Sequence, residues 1–247
     1  MEDNFADVVR KAQRGMSFSD HDLATQAGIT EERLARVKAE HYDAAALEKL
    51  AGVLGLSARA LVALPEYQPA PVEVPRLAVC RSPFGGMWVN AYLAWDAEGR
   101  AAAFDTGTDC RPILEILRAK KLTLCGIFIT HTHSDHVSAL DQLREASGAP
   151  VFREEIACGN LWIEPRQTWG HTQDGMSYVV HGLDCLAVMV GDALFAGSMG
   201  GGLVSYADAL RTNREQILTL PPETVLCPGH GPMTTVGEER LNNPFFA

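Results

Sequence analysis

An apolar run, Leu122 to Ile129, ends at Thr130 and is followed within six positions by His131, His133, Asp135 and His136. Beyond them Val137, Leu140, Leu143 and Ala146 recur at helical spacing. The expectation is a buried strand leading into an amphipathic helix, with four ligand-type side chains on the turn between them. Residues at i and i+2 of an extended turn point the same way, so His131 and His133 can grip one ion. Asp135 and His136 lie one step further round and can grip another. Imidazole nitrogen and carboxylate oxygen are donors that zinc accepts, and iron and manganese tolerate the same set. A solvated His-rich loop would share this composition. The rest of the chain has to decide between the two.

Length and charge narrow the choices. A chain of 247 residues suits one large or two modest domains with a real core. Its hydrophobic fraction of 47% is globular, and no run approaches the length needed to cross a bilayer, so no membrane is expected as a partner. Met1-Glu-Asp-Asn-Phe-Ala-Asp is acidic where an export signal would be basic and then apolar. A net charge of −10 argues against a main role on nucleic acid or anionic lipid. Cys80, Cys110, Cys125, Cys158, Cys185 and Cys227 are scattered, several within apolar runs, and read as small core residues of a reduced, cytoplasmic protein.

Residues 1–64 read as five short helices. Thr30, Asp43 and Ser57 are suited to cap the third, fourth and fifth, and Gly28 and Gly55 to stop the second and fourth. The pattern Asp22-Leu-Ala-Thr-Gln-Ala-Gly-Ile-Thr-Glu-Glu-Arg-Leu, with Leu50-Ala-Gly-Val-Leu-Gly-Leu after it, resembles the phage-repressor (Cro/C1-like) helix-turn-helix family. In that family the third helix enters the major groove by its N-terminal end, where this chain has Glu31 and Glu32. Carboxylates there would face phosphate, so DNA is disfavoured as a partner. Packing, dimerisation or covering of a site is the expected role instead, which keeps a homodimer open. His21 and His41 read as surface or capping residues. Pro65, Pro69, Pro71 and Pro75 make 65–75 a stiff linker between this domain and residues 76–247.

From Arg76 short strands alternate with helices. Strands are expected over Leu77–Cys80, Met87–Trp95, Ala101–Phe104, Val151–Arg153, Ser177–Val180, Cys185–Val190 and Val225–Cys227, and helices over Cys110–Lys121 and Tyr206–Leu218. His171, Asp192 and His230 each stand at or beside the end of such an element, next to glycine. Strand ends are where ligands gather in α/β folds.

The set His131-x-His133-x-Asp135-His136, followed in order by His171, Asp192 and His230, resembles the metallo-β-lactamase fold superfamily across residues 76–247. The fold implied is an α/β, αββα sandwich preceded by a small all-α helix-turn-helix-like domain. The resemblance implies two divalent metal ions, zinc first with iron or manganese as alternatives. His131, His133 and His171 would hold one ion, Asp135, His136 and His230 the other, and Asp192 would bridge them. Asp105, in Asp105-Thr-Gly, would support the loop or set a histidine tautomer without touching metal. His181 matches no ligand position.

Gly191-Asp-Ala-Leu-Phe-Ala-Gly-Ser, the segment from Leu220 through Cys227-Pro-Gly-His-Gly-Pro, and Asn243-Pro-Phe-Phe look most like the glyoxalase II (hydroxyacylglutathione hydrolase) branch. That likeness implies attack of metal-bound hydroxide on a thioester or related small acyl substrate, with Asp135 helping to orient the nucleophile. The chain departs from the branch in two places. Met199-Gly-Gly-Gly-Leu stands where an Arg is usual, and the chain stops at Ala247, without the helical extension that brings cations to glutathione. The alternatives are a one-iron persulfide dioxygenase, a β-lactamase, and a metal- or ligand-responsive DNA-binding regulator.

Overall fold

Side-chain oxygens start the N-terminal helices. In the computed structural model, which describes residues 1–247, α1 (Phe5–Gly15) opens on Asn4, whose side chain accepts from the Ala6 and Asp7 amides while Asp7 accepts from the Asn4 amide. Ser19, Thr30, Asp43 and Ser57 each accept an amide three residues on, and so begin α2 (Asp20–Ala27), α3 (Glu31–Lys38), α4 (Ala44–Leu54) and α5 (Ala58–Ala63). Gly28 and Gly55 end α2 and α4 in the left-handed conformation. The caps expected at Thr30, Asp43 and Ser57 and the stops at Gly28 and Gly55 are observed, and Asn4 and Ser19 are two caps more.

The five helices share one apolar cluster built around Val8, Leu23, Leu34, Leu47, Leu50 and Leu61, and that cluster also takes in Met199, Ala209 and Phe245. The helical unit is therefore packed onto the rest of the chain. At its edge α1 runs so close to Tyr206 that a Cβ on Gly15 would stand 2.2 Å from Tyr206 Cγ. After a 3-10 turn at Leu64–Glu66, the Pro-rich segment has no regular structure, and Val74 is buried in the neighbouring core.

Two sheets follow, face to face. In chain order the elements are β1 (Leu77–Phe84), β2 (Met87–Trp95), β3 (Arg100–Phe104), α6 (Arg111–Lys120), β4 (Thr123–Phe128), α7 (Ser134–Val137), α8 (Leu140–Ser147), β5 (Val151–Phe152), β6 (Ile156–Cys158), β7 (Leu161–Gln167), β8 (Met176–His181), β9 (Ala187–Gly191), α9 (Tyr206–Thr212), β10 (Val225–Pro228), β11 (Thr234–Thr235) and α10 (Val236–Asn242). The first sheet runs β1-β2-β3-β4-β5 and the second β11-β10-β9-β8-β7-β6. Between them lies a core that includes Tyr92, Phe104, Phe128, Tyr178, Met189 and Cys227. Outside the first sheet, Ile113, Leu117 and Leu143 from α6 and α8 cover Leu93 and Ile127. Outside the second, Ile217, Leu220 and Val236 cover Val188 and Leu226. This is an αββα sandwich with a helical region at its N-terminus.

Several boundaries differ from expectation for identifiable reasons. β1 continues past Cys80 through Arg81, Ser82 and Pro83, which an edge strand tolerates, to a two-residue turn at Gly85-Gly86 with φ of 55° and 87°. The helix expected over Tyr206–Leu218 is regular only to Thr212. Asn213 Nδ2 donates to the Ala193 and Ala209 carbonyls, and Asn213–Ile217 widens into a π turn. The pairing of β6, β7, β11 and the helix α10 lay outside the expected elements.

Glu239 ties the segment that follows the helical unit to the second sheet. It is 0% exposed, and its carboxylate accepts from Tyr67, Thr234, the Gly197 amide and Asn243, each at 2.8 Å. Burial raises its pKa against the opposing pull of these donors. Tyr67→Phe removes one donor and is expected to cost about 1–2 kcal/mol, whereas Glu239→Ala strands four donors and should cost about 3 kcal/mol or more. Urea denaturation of the two variants checks the order, and similar small losses for both would contradict it.

Candidate metal centre

Aromatic packing aims the histidine turn. Phe104 and Phe128 stack at 5.2 Å, Phe128 meets Tyr178 edge-on at 5.3 Å, and the Tyr178 hydroxyl donates to the Ile129 carbonyl at 2.9 Å. The exit of β4 is thereby fastened to the opposite sheet. Thr130 and His131 follow, His133 precedes α7, and Asp135 and His136 lie within it. His171 sits on the loop between β7 and β8, Asp192 just after β9, and His230 just after β10.

All seven side chains meet at this edge of the sandwich. His131, His133, His171 and Asp192 form one group, and Asp135, His136 and His230 a second, the ligand atoms of each lying within 4.8 Å of one another. In the first, His133 Nδ1 is 3.1 Å from both His131 Nε2 and His171 Nε2, and Asp192 Oδ2 is 3.5 Å from His171 Nε2. In the second, His230 Nε2 is 3.1 Å and His136 Nε2 3.6 Å from Asp135 Oδ2. Asp192 Oδ1 is 3.3 Å from His136 Nε2 and 3.8 Å from His230 Nε2. One oxygen of Asp192 thus faces each group. Donors on a tetrahedral ion with bonds of about 2.0–2.1 Å stand roughly 3.3 Å apart, so the spacing matches a ligand shell.

The outward nitrogens explain which way the rings face. His136 Nδ1 donates to Asp105 at 2.8 Å, His171 Nδ1 to the Gly201 carbonyl at 2.9 Å and His230 Nδ1 to the Trp88 carbonyl at 2.9 Å. Thr130 Oγ1 gives its proton to Asp105 (2.8 Å) and so accepts from His131 Nδ1 (3.1 Å). In all four rings the Nε2 lone pair is left facing the centre. The buried His136 Nε2 and Asp192 Oδ1 have no hydrogen-bond partner. Two orphaned acceptors side by side inside a protein suit a cation between them, so these residues fit divalent metal.

Charge agrees with that fit. Burial draws the His131 imidazole down to about 4, with the neighbouring His136 adding to the fall, which keeps it neutral and able to ligate. Burial also lowers His171. At His136 burial pulls down, but Asp105 and Asp192 outweigh it and hold the imidazole well above its ordinary range. Burial works against Asp192 as well, yet His136, His131 and His230 keep the carboxylate far below the usual range. The surroundings demand positive charge where the two groups meet.

Asp105 lies where the sequence places a supporting residue. Its backbone has φ of 56°, rare for a non-glycine residue, and its two oxygens accept from the Thr130 amide, the Thr130 hydroxyl and His136. His181 stays apart, bonded to Glu164 at 3.1 Å and stacked on Trp162. His21 pairs with Glu31 on the surface, and the exposed His41 sits beside the Ala39 carbonyl. Sequence reasoning missed Thr130, Asn90 and Gly229. Asn90 donates to the carbonyls of Pro228 and Gly231 on either side of His230, and a Cβ on Gly229 would stand 2.4 Å from Asp192 Oδ1. The flanking Thr and Gly were visible beside ligand positions, but the Gly201 and Trp88 carbonyls are backbone groups and leave no mark in a sequence.

Known proteins share this arrangement. The family model described as the metallo-beta-lactamase superfamily matches residues 85–169. The chain is 30% identical over 207 residues to the probable metallo-hydrolase YqgX of Bacillus subtilis, covering 67% of this chain and 96% of that one. It is 24% identical over 197 residues to the hydroxyacylglutathione hydrolase GloC of Haemophilus influenzae, covering 64% and 92%. The crystal structure of the BLEG-1 B3 metallo-beta-lactamase aligns with a TM-score of 0.62 at 26% identity, covering 69% of this chain and 100% of that one. A sandwich of this topology, and a relative at 30% identity matched almost from end to end, place the chain in the metallo-β-lactamase superfamily.

Proposed function

We propose that the chain is a dinuclear metal-dependent hydrolase that cleaves thioesters, in the manner of a hydroxyacylglutathione hydrolase. The observation that carries this reading is Asp192, whose Oδ2 faces the His131, His133 and His171 group and whose Oδ1 faces His136 and His230 of the other. His131, His133 and His171 would hold one divalent ion and Asp135, His136 and His230 the other, with Asp192 between. The donor set favours zinc and admits iron or manganese. Bound there, the ions would supply an ionised water as nucleophile and a Lewis acid at the scissile carbonyl.

The chain's own groups do the rest. Asp135, whose side chain is 12% exposed and 3.1 Å from His230 Nε2, is placed to orient the attacking group. Asp105 and Thr130 keep two imidazoles in the ligating tautomer. The cysteines are poor rivals as nucleophiles, since burial pushes the Cys80 thiol up to about 12 and raises Cys110, Cys158 and Cys227 as well. The likeness to GloC, together with the glyoxalase-like segments around Asp192 and His230, supports a thioester over a β-lactam. The presence of Asp135, His136 and His230 together beside the first group supports two ions over a one-iron dioxygenase.

For the helical unit we favour a structural role over DNA reading. Glu31 and Glu32 stand exposed at the start of α3, and the unit packs on Met199 and Phe245. No helix is long and apolar enough to cross a membrane.

Elemental analysis of protein loaded with zinc is expected to find two ions per chain, falling towards one in His230→Ala. Asp105→Asn should weaken metal retention about 10–100-fold in a chelator competition. A metal-loaded sample inert towards every member of a thioester panel, yet active on phosphodiesters, would remove the thioester assignment.

A further inference from the structure

The helical unit reaches the metal centre through its first residues. Lys11 pairs with Asp3, donates to the Met199 carbonyl at 2.8 Å and lies 5.1 Å from the centre of the Phe195 ring, which stands edge-on to His230. This anchors the segment before α1. A Cβ on Gly231, next to His230, would meet the Glu2 amide nitrogen at 3.2 Å. Glu2 is thus laid against the loop that carries a ligand-type histidine.

The Glu2 carboxylate is half-buried and takes part in no hydrogen bond or ion pair. Burial raises its pKa, Asp3 and Asp192 add to the rise, and His230 and Lys11 oppose it. On the edge strand β1 the exposed Arg81 has no ion-pair partner either. The two line one cavity of about 460 Å³ with Met87, Trp88 and Asn90. Trp88 is 59% exposed, and its carbonyl accepts from His230 Nδ1. The cavity, which Met1 also lines, therefore shares a wall with the metal centre and carries the Glu2 carboxylate, the Arg81 guanidinium and an indole face.

We propose that this cavity is the subsite for the non-reacting end of the substrate, and that it takes a zwitterion, an α-amino-acid-like group with one ammonium and one carboxylate. Glu2 receives the ammonium, Arg81 the carboxylate, and Trp88 covers the carbon between them. A dianionic end would meet Glu2 and be repelled. A neutral end would forgo both ion pairs and leave the two charges to water, so it gains less from the site than a zwitterion does. The assignment also supplies from β1 the cation that the Met199-Gly-Gly-Gly segment lacks. It rests on the reading of the chain as a hydrolase of small acyl compounds.

The test is binding, followed separately by cleavage, with full-length metal-loaded protein. Calorimetry compares S-methylcysteine with its methyl ester, which keeps only the ammonium, and with its N-acetyl derivative, which keeps only the carboxylate. The expected result is at least tenfold tighter binding of the zwitterion. Glu2→Gln should abolish discrimination against the N-acetyl compound alone, and Arg81→Gln discrimination against the ester alone, with metal content and thermal midpoint of both variants checked beside them. Equal affinity for the three compounds, or loss by both variants towards all of them alike, overturns the proposal. Charge-selective binding without cleavage of any thioester would sink the reaction assigned above and leave the subsite standing. Cleavage without charge-selective binding would do the reverse.

Discussion

The constraint on which the rest depends is the burial of Asp192 among imidazoles. A carboxylate withdrawn from water costs several kcal/mol unless charge and hydrogen bonds replace the solvent. Here the nearest donors are rings whose outward nitrogens are already committed to Asp105, Thr130 and two backbone carbonyls. Only the inward nitrogens are left to answer Asp192, and a nitrogen lone pair answers a carboxylate only through a proton or a metal ion. The fold brings these groups together on strand ends from both sheets, so neither sheet alone could assemble the set. Packing of Phe104, Phe128 and Tyr178 between the sheets is therefore part of the site, because it sets the distance between the turn after β4 and the loops after β9 and β10.

Much of this was legible in the sequence because the ligands are side chains with short, regular spacing. His131, His133, Asp135 and His136 sit on one turn, Asp192 and His230 stand at the ends of apolar strands, and all three later residues stand beside glycine. Helix caps were equally legible, since Thr30, Asp43 and Ser57 act on amides three residues away. Elements that draw their stability from distant partners were not. β1 extends through Arg81 and Pro83 because β2 offers a full antiparallel register, and α9 gives way at Asn213 because Ala193, twenty residues back, supplies an acceptor. Local pattern carries no record of either partner.

Nor was the placement of the N-terminal helices legible. Their internal apolar faces predict five helices, but the residues that join them to the sandwich are few and individually plain. Gly15 is small where Tyr206 presses against it, Tyr67 bonds a glutamate in the last helix, and Lys11 reaches a carbonyl in the loop after Asp192. Each belongs to a contact spanning well over a hundred residues of chain. The repressor-like pattern speaks to how the helices pack among themselves and is silent about what they pack on.

That docking changes what the helices can do. A reader of DNA needs a free α3 surface bearing positive charge, whereas this α3 opens with two exposed carboxylates. Lys11, Tyr67 and the Gly15–Tyr206 contact instead fasten the helices to the sandwich, Lys11 at the loop that follows Asp192. A divalent centre attracts anions of every kind, so selectivity has to come from groups set outside the metal shell. Acidic residues near such a centre would weaken the binding of simple anions while leaving room for a substrate that brings its own positive charge. On the reading proposed above, the ions would activate the substrate and the Glu2 carboxylate laid against the His230 loop would help to select it.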